Sequence, residues 1–484
     1  MNAWKTTAVA VVAFVLVFFG GCTDNGPGVF APSLGSKTVT KYVAIGNSLT
    51  AGYQSNGLYQ SAQIYSYPNL IAGQLKLAGA ALGSFEQPLY SDPGTPGADG
   101  LASRYEIISL VGPVIGPSGH PPGSPLNLSL ARPYDNLGIP GAVIYDFLDT
   151  ASFASKAVPP RSNPLFSLIL RSAALGKSVF AQAKALHPDL VTFWLGNNDV
   201  LGYATSGGVS PAAPTSLAAF TYLYSQAIDS LRAALPNAGI VVANIPDVTT
   251  IAFFTTLGPH IAAAVAASGA PFRYQKHGED GTSGLASGTT TFTEATPPLI
   301  CLTGSAYAPL LGQPTGKWYR DKGYTSLPAY IDTTKPFGFH PQNPWPDALV
   351  LDADEQAVAA TAVAGFNTAI ATAAQAKNAV VVDINAFFAG VRANGYFWAG
   401  EEFTSEYVKG GLFSLDGVHP SSRGSGVLAN QFIKKMNERL GTKLSYVDIS
   451  ALPGIPGPLS KAGNAVPVIP PEAFQELELL WGSR

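Results

Sequence analysis

One serine of the chain stands in a sequence typical of an enzyme nucleophile. Ser48 lies within residues 45–53, Ile-Gly-Asn-Ser-Leu-Thr-Ala-Gly-Tyr, at the end of an apolar, β-branched run over residues 39–45. The run predicts a buried strand that turns directly into a helix, so Ser48 is expected at the carboxyl edge of a sheet. The partial positive charge of a helix N-terminus favours an anion that develops there. Taken alone, a Gly-x-Ser segment is more often only a turn.

A histidine that follows an aspartate could supply the base for such a serine. Residues 415–420 read Leu-Asp-Gly-Val-His-Pro, which places Asp416 three residues before His419. At this spacing the carboxylate can orient the imidazole ring, as in the supporting half of a Ser-His-Asp triad. By itself, His419 would be interpreted as a surface histidine that caps a helix.

Two further segments offer neutral hydrogen-bond donors. Residues 136–142, Asn-Leu-Gly-Ile-Pro-Gly-Ala, predict a Gly-rich loop suited to presenting a backbone N–H, and residues 194–199, Trp-Leu-Gly-Asn-Asn-Asp, follow a predicted strand. Each is also compatible with ordinary loop chemistry. A nucleophile, an oriented base and neutral donors require no metal, and the sequence has no His-x-x-x-His or Cys-x-x-Cys spacing. We therefore expect neither a metal nor a cofactor.

Together, and in this order, the four segments resemble the conserved blocks of the SGNH (GDSL-like) hydrolase family. The resemblance spans roughly residues 38–440, although the long stretches between the blocks do not match. One departure is Asn47, which stands where the family has an acidic residue. Because this position is neither nucleophile nor base, activity is still expected. The matching residues are 46–49, Gly141, 196–199 and 416–419.

The resemblance implies a role for each candidate residue. Ser48 is the nucleophile, His419 the general base, and Asp416 orients and stabilises the imidazolium. The oxyanion hole combines the backbone N–H groups of Ser48 and Gly141 with the side-chain amide of Asn198. The Gly-x-Ser-x-Gly elbow of the other large esterase fold is missing from the sequence, which disfavours an α/β-hydrolase.

The elements around these segments alternate between strands and helices. Apolar runs predict strands at 39–45, 189–195, 239–245 and 379–383, and helices are predicted at 67–78, 143–148, 165–175, 177–186, 215–235, 352–377 and 421–440. Such βαβ alternation predicts a parallel sheet with helices on both faces. The resemblance implies, more specifically, a flavodoxin-like α/β/α sandwich.

Two long segments lack periodicity and are predicted to be loop insertions, over residues 79–135 and 270–345. We expect them to build the substrate pocket. Their aromatic side chains could line an acyl groove, or could simply anchor the loops on the core. These aromatic residues are Phe85, Tyr90, Tyr307, Trp318, Tyr319 and Trp345.

The start of the chain is predicted to be an export signal. Lys5 precedes an apolar run over residues 8–19, which is the pattern of a signal peptide and is shorter than the roughly 20 apolar residues of a transmembrane helix. The run leads through two glycines to Cys22, which resembles a bacterial lipobox with Phe19 in place of the usual leucine. In a lipobox the cysteine is lipidated and becomes the mature N-terminus; ordinary signal cleavage is the alternative.

These features predict four parts: a signal peptide over residues 1–21, a flexible tether over 22–37, the hydrolase domain over 38–440, and a Pro-rich tail over 441–484 that packs on the domain. Since no acidic residue follows the cysteine, we expect the protein in the bacterial cell envelope, at the outer membrane. Cys301 then has no partner for an intrachain disulfide.

The composition and net charge of the chain argue against nucleic acid as a partner. With 46% hydrophobic and 12% charged residues and a net charge of −3, the chain is globular and has no basic patch for nucleic acid. The expected substrate is a small-molecule, lipid or glycan ester, and the expected membrane contact is the N-terminal lipid. The leading hypothesis is hydrolysis of an acyl ester through an acyl-enzyme on Ser48. The rival is a ligand-binding envelope lipoprotein that has kept the scaffold without catalysis.

Overall fold

A computed structural model describes residues 31–109, 114–151, 163–209, 213–277, 283–454 and 466–474 of the chain. The predicted signal peptide, Cys22 and most of the predicted tether lie outside the described residues.

The centre of the molecule is a five-stranded sheet in which every neighbouring pair is parallel. The strands are β1 (Tyr42–Gly46), β2 (Asn136–Gly138), β3 (Leu190–Trp194), β4 (Gly239–Ala243) and β5 (Val380–Val382). Their order, β2-β1-β3-β4-β5, is that of flavodoxin-like sheets. The predicted fold is therefore confirmed. In such sheets the ligand site lies at the carboxyl ends of the strands where the order reverses, here between β1 and β3.

Helices cover the sheet and fill the connections. The ones used below are α1 (Ser48–Ala51), α2 (Tyr67–Leu77), α3 (Val179–Ala185), α4 (Asn198–Thr205), α5 (Leu217–Ala234), α6 (Ala353–Ala376), α7 (Ile384–Asn394) and α8 (Ser422–Leu440). Further helical segments are Gln60–Gln63, Leu165–Leu170, Ala252–Thr255, Gly258–Ser268 and Lys317–Asp321. By length and composition α6 could cross a membrane, but it packs on α5 in the sandwich.

Alternate side chains of each strand enter two different hydrophobic layers. Val43 and Phe193 belong to the layer on the side of α5 and α6, where Phe220 stacks on Phe366 with ring centroids 3.9 Å apart. Their neighbours along the strands, such as Ala44 and Trp194, belong to the layer on the side of α2 and α8, where Tyr67 stacks on Phe432 at 4.9 Å. Burial on both faces is the reason why the strands are continuous apolar runs.

Strand β2 corrects one prediction. Residues 136–138 were expected in a loop, but they pair with β1 at the edge of the sheet. The strand has only three residues, which is too short to show a period. It passes so close to α1 that a Cβ on Gly138 would collide with the backbone of Thr50 and Ala51.

The two long insertions are more ordered than the sequence indicated. The first contains the hairpin Tyr105–Ser109 with Val114–Pro117, and the second contains the hairpin Phe272–His277 with Ser283–Thr290. Their aromatic residues anchor them: Trp345, for example, is fully buried between Phe272 and Phe337.

Both ends of the described chain lie against the domain. Ser33 and Lys443 exchange two backbone hydrogen bonds of 3.0 and 2.8 Å, so Ser33, which belongs to the predicted tether, is bound to the domain. In the tail, Ile469 is fully buried and exchanges hydrogen bonds with Ser305, and Phe474 packs edge-on against Phe253.

Candidate active site

One residue, Asn47, separates Ser48 from the end of strand β1, and Ser48 begins α1. Asn47 is the N-cap of this helix, and its Oδ1 accepts a hydrogen bond of 3.1 Å from the Leu49 N–H. The helix has a single turn and ends at Gly52, whose φ of 75° is left-handed. The helix expected after β1 is thus present but short. Such a short helix stabilises a negative charge through the N–H groups of its first turn rather than through a long helix dipole.

Asp416 and His419 form a buried pair in the loop before α8. The Oδ2 atom of Asp416 lies 3.0 Å from Nδ1 of His419, while Oδ1 accepts hydrogen bonds from the N–H groups of Val418 (2.9 Å) and His419 (2.8 Å). Burial alone would raise the pKa of Asp416, but the adjacent imidazole and these N–H groups hold that pKa below its usual value. An ionised carboxylate only accepts hydrogen bonds, so Nδ1 of His419 is the donor in this contact.

Ser48 and His419 line one cavity at the carboxyl edge of the sheet. It has roughly 750 Å³ of empty space, including its open side. Most of its wall is apolar and comes from α4, α7, α8, the loop before α8, and the segments after β1, β3 and β4. The lining residues are Asn47, Ser48, Leu49, Trp194, Asn197, Asn198, Leu201, Pro246, Val248, Thr250, Ile251, Phe388, Leu412, Phe413, Val418, His419, Pro420, Gly424, Val427 and Leu428.

The residues that the structure describes in the two long insertions do not line this wall, contrary to expectation. None of the aromatic residues singled out in them lines the cavity. The sequence could not show this, because the wall residues come from short loops and helix faces that meet only when the sheet is assembled.

Asn198, which lines the cavity, contacts the turn that contains Gly141, whereas Gly141 is not among the lining residues. Residues 139–142 form a turn closed by a 3.0 Å hydrogen bond from Ala142 N to Ile139 O, with Pro140 followed by Gly141 at a φ of 78°, as in a type II turn. Asn198 is the first residue of α4, lines the cavity, and donates from Nδ2 to Ala142 O at 2.9 Å. One hydrogen of its amide is therefore used to hold the turn.

Asn197 and Tyr53 were not singled out from the sequence. Asn197 lines the cavity, and its buried Oδ1 has no hydrogen-bond partner among the described residues. The Tyr53 ring packs against the His419 ring with centroids 4.8 Å apart. Both residues lie in or beside the matched segments, but only their burial distinguishes them from ordinary loop and core residues.

The described residues contain no group of three or more histidine, cysteine or acidic side chains that could hold a metal ion. Cys301 is a free thiol in the core, and burial raises its pKa well above the usual value.

Comparison with known proteins gives one family and a set of distant structures. The family model described as GDSL-like Lipase/Acylhydrolase matches residues 42–432. Among solved structures, a candidate GDSL-like lipase from Parabacteroides merdae is 13% identical with a TM-score of 0.33, over 84% of this chain and 99% of that one. An extracellular lipase from Streptomyces rimosus is 13% identical with a TM-score of 0.31, over 83% of this chain and 99% of that one. No curated protein sequence matches the chain.

Proposed function

The chain belongs to the GDSL-like lipase/acylhydrolase family and is a hydrolase acting on esters, and we propose that it cleaves an acyl ester through an acyl-enzyme on Ser48. The observation that carries the proposal is the cavity shared by Ser48 and His419, with Asp416 hydrogen-bonded to the far nitrogen of the same ring.

In the proposed reaction, His419 Nε2 takes the proton of the Ser48 hydroxyl as Oγ attacks the ester carbonyl. Asp416 accepts the Nδ1–H hydrogen bond and stabilises the imidazolium that forms. The oxygen that becomes negative is bound by the N–H groups of Ser48 and Gly141 and by the Asn198 amide. The imidazolium then protonates the leaving alcohol. Water, activated by His419, hydrolyses the acyl-enzyme and returns the proton.

The wall of the cavity supports an acyl group longer than acetyl. Leu201, Val248, Ile251, Phe388 and Val427 offer aliphatic and aromatic surface to the substrate, and burying an apolar chain there is favoured by about 0.8 kcal/mol per methylene. A glycan deacetylase would gain little from such a wall. We therefore propose a lipid or other long-chain acyl ester as the substrate.

Turnover of p-nitrophenyl esters from acetate to palmitate tests both parts of this proposal. The full chain, purified in detergent, is expected to hydrolyse the medium and longer esters with a higher kcat/KM than the acetate, and Ser48→Ala is expected to fall to background. Val427→Phe fills part of the cavity and should reduce kcat/KM for long esters more than for the acetate. The matched control is Val358→Phe, at an exposed position of α6.

Each result that contradicts the proposal rejects a different part of it. Activity retained by Ser48→Ala would reject Ser48 as the nucleophile. A strong preference for the acetate, unchanged in Val427→Phe, would reject the acyl-chain site and favour a deacetylase. The absence of turnover with every ester would favour the ligand-binding reading.

A further inference from the structure

A tight turn near the candidate nucleophile has an unusual backbone. Residues 54–57 close on themselves through two hydrogen bonds, Gln54 N to Gly57 O (3.0 Å) and Gly57 N to Gln54 O (3.1 Å). The two central residues, Ser55 and Asn56, have φ values of 48° and 63°. Left-handed φ at both central positions is the type I′ arrangement, which glycine and asparagine tolerate and serine adopts only at a cost.

The rest of the fold holds this turn in place. Ser55 is 5% exposed; its N–H donates to Ser414 Oγ (2.9 Å), its Oγ accepts from Leu415 N (3.2 Å), and its carbonyl accepts from Tyr105 N (2.7 Å). Two of these partners belong to the loop that carries Asp416, and the third belongs to the first insertion. A strained turn that is held from several sides is typical of functional sites.

Asn56 connects the turn to the candidate catalytic pair. It is 1% exposed, and its N–H donates to Asp416 Oδ2 at 2.9 Å. Its side chain fixes the backbone orientation, because Nδ2 donates to Ser103 O (3.2 Å) and Oδ1 accepts from the Tyr53 hydroxyl (3.1 Å). Tyr53 is the residue whose ring packs on His419.

The two oxygens of Asp416 are therefore held by different parts of the chain. The loop of Asp416 itself binds Oδ1, through the N–H groups of Val418 and His419. The oxygen that faces His419 Nδ1 is Oδ2, and its backbone donor is the N–H of Asn56, 360 positions away in sequence. If the Asn56 N–H moved, Oδ2 would lose this backbone donor, and only the N–H groups of Val418 and His419, both on Oδ1, would still bind the carboxylate from the backbone.

We propose that the turn of Ser55 and Asn56 is a positioning device for Asp416 and His419. Asn56 does not line the cavity, so it acts through Asp416 and not on the substrate. The proposal rests on the proposed function, because positioning matters to turnover only if His419 is the base.

The test compares Asn56→Ala and Asn56→Gly with the wild-type chain. Alanine removes the side-chain anchors and disfavours the left-handed backbone, whereas glycine keeps that backbone conformation accessible.

We expect kcat for Asn56→Ala to fall about tenfold or more, as for other small misplacements of catalytic groups, with KM changed less than twofold. The acidic limb of the kcat/KM–pH profile should move to lower pH, because a displaced carboxylate stabilises the protonated imidazole less. Asn56→Gly should recover most of the activity.

Asn378→Ala and Asn378→Gly are the matched controls. Asn378 is also a left-handed asparagine, with a φ of 50°, but it lies after α6, in the connection to β5. These variants carry the same backbone penalty and should keep the wild-type kcat and pH profile. The proposal would be overturned if the Asn56 variants had the same kcat as the corresponding Asn378 variants and an unchanged pH profile.

Two further measurements apply if Asn56→Ala does not fold or if the wild-type chain has no esterase activity. If Asn56→Ala does not fold, Ser414→Ala removes the acceptor of the Ser55 N–H and should cause the same kinetic change in smaller degree; wild-type kinetics there would overturn the proposal. If the wild-type chain hydrolyses no ester, the proposed function fails first. The positioning proposal is then tested by the proton resonance of His419 Nδ1–H, which should shift in Asn56→Ala and not in Asn378→Ala.

Discussion

At the scale of single residues, the proposed chemistry depends on how Asp416 is surrounded. Its carboxylate accepts hydrogen bonds from its own loop and from Asn56, and it lies 3.0 Å from the ring nitrogen that must carry a proton. Ser48, Asp416 and His419 could be proposed from sequence because each lies in a short segment with a recognisable order of residue types. Asn56 could not, because its partner is 360 positions away.

Asp416→Asn tests this arrangement at the same scale. An amide can present its NH₂ group to Nδ1, which would favour the wrong tautomer of His419, so kcat should fall by about 10³–10⁴-fold while the fold is kept. Asp189→Asn is the matched control, since Asp189 accepts hydrogen bonds from Thr40 and Lys41 at the opposite end of β3. Steady-state kinetics and the melting temperature of both variants check this. Equal losses of activity in the two would show that Asp416 acts only on stability.

At the scale of helices and strands, the longer elements could be predicted from the sequence and the shorter ones could not. Strands β3 and β4 are within a residue or two of their predicted bounds, because each is a buried apolar run of five residues. Helices α5, α6 and α8 match equally well, since serine or aspartate N-caps mark their starts. Strand β2 and the hairpins of the insertions were missed because their pairing partners, rather than a local period, define them.

Glu355, in the first turn of α6, is expected to make the stability of the fold depend on pH. Burial, and next the negative charges of Asp352 and Asp347, raise the pKa of Glu355 to about 9, although the Asp352 N–H donates to its carboxylate. Glu355 therefore stays protonated when folded at neutral pH but is ionised when unfolded. Its stabilising effect is complete below about pH 4.3, the usual glutamate pKa, and is lost as the pH rises toward 9.

Glu355→Gln should remove this dependence while keeping an acceptor for the Asp352 N–H. Relative to wild type, the free energy of unfolding of the variant is expected to rise with pH, by on the order of 4 kcal/mol between pH 5 and 8. Urea unfolding of both proteins at several pH values measures this difference. Curves that stay parallel across the range would contradict it.

At the scale of the whole molecule, the order of strands and the apolar cavity place the candidate residues at one edge of the sheet. The alternation of strands and helices predicted this sandwich, and the family match confirms it. The position of the cavity could not be predicted, because its wall combines the ends of three strands with faces of α4, α7 and α8.

We propose that the whole protein is held at the outer membrane by a lipid on Cys22. In a bacterial host the wild-type chain should sediment with outer membranes through high salt and be released by detergent, whereas Cys22→Ser should lose this anchoring. Cys301→Ser is the matched control, because Cys301 is fully buried in the core. Equal membrane retention of the two variants, or wild-type chain in the soluble fraction, would reject the anchor.

Covalent labelling with a fluorophosphonate tests whether Ser48 is a nucleophile activated by His419. The probe reacts with an activated serine and requires no knowledge of the natural substrate. The wild-type chain is expected to be labelled on the peptide containing Ser48, Ser48→Ala is expected to remain unlabelled, and His419→Ala should be labelled far more slowly. A wild-type chain that resists the probe, or that is labelled equally well without Ser48, would contradict it.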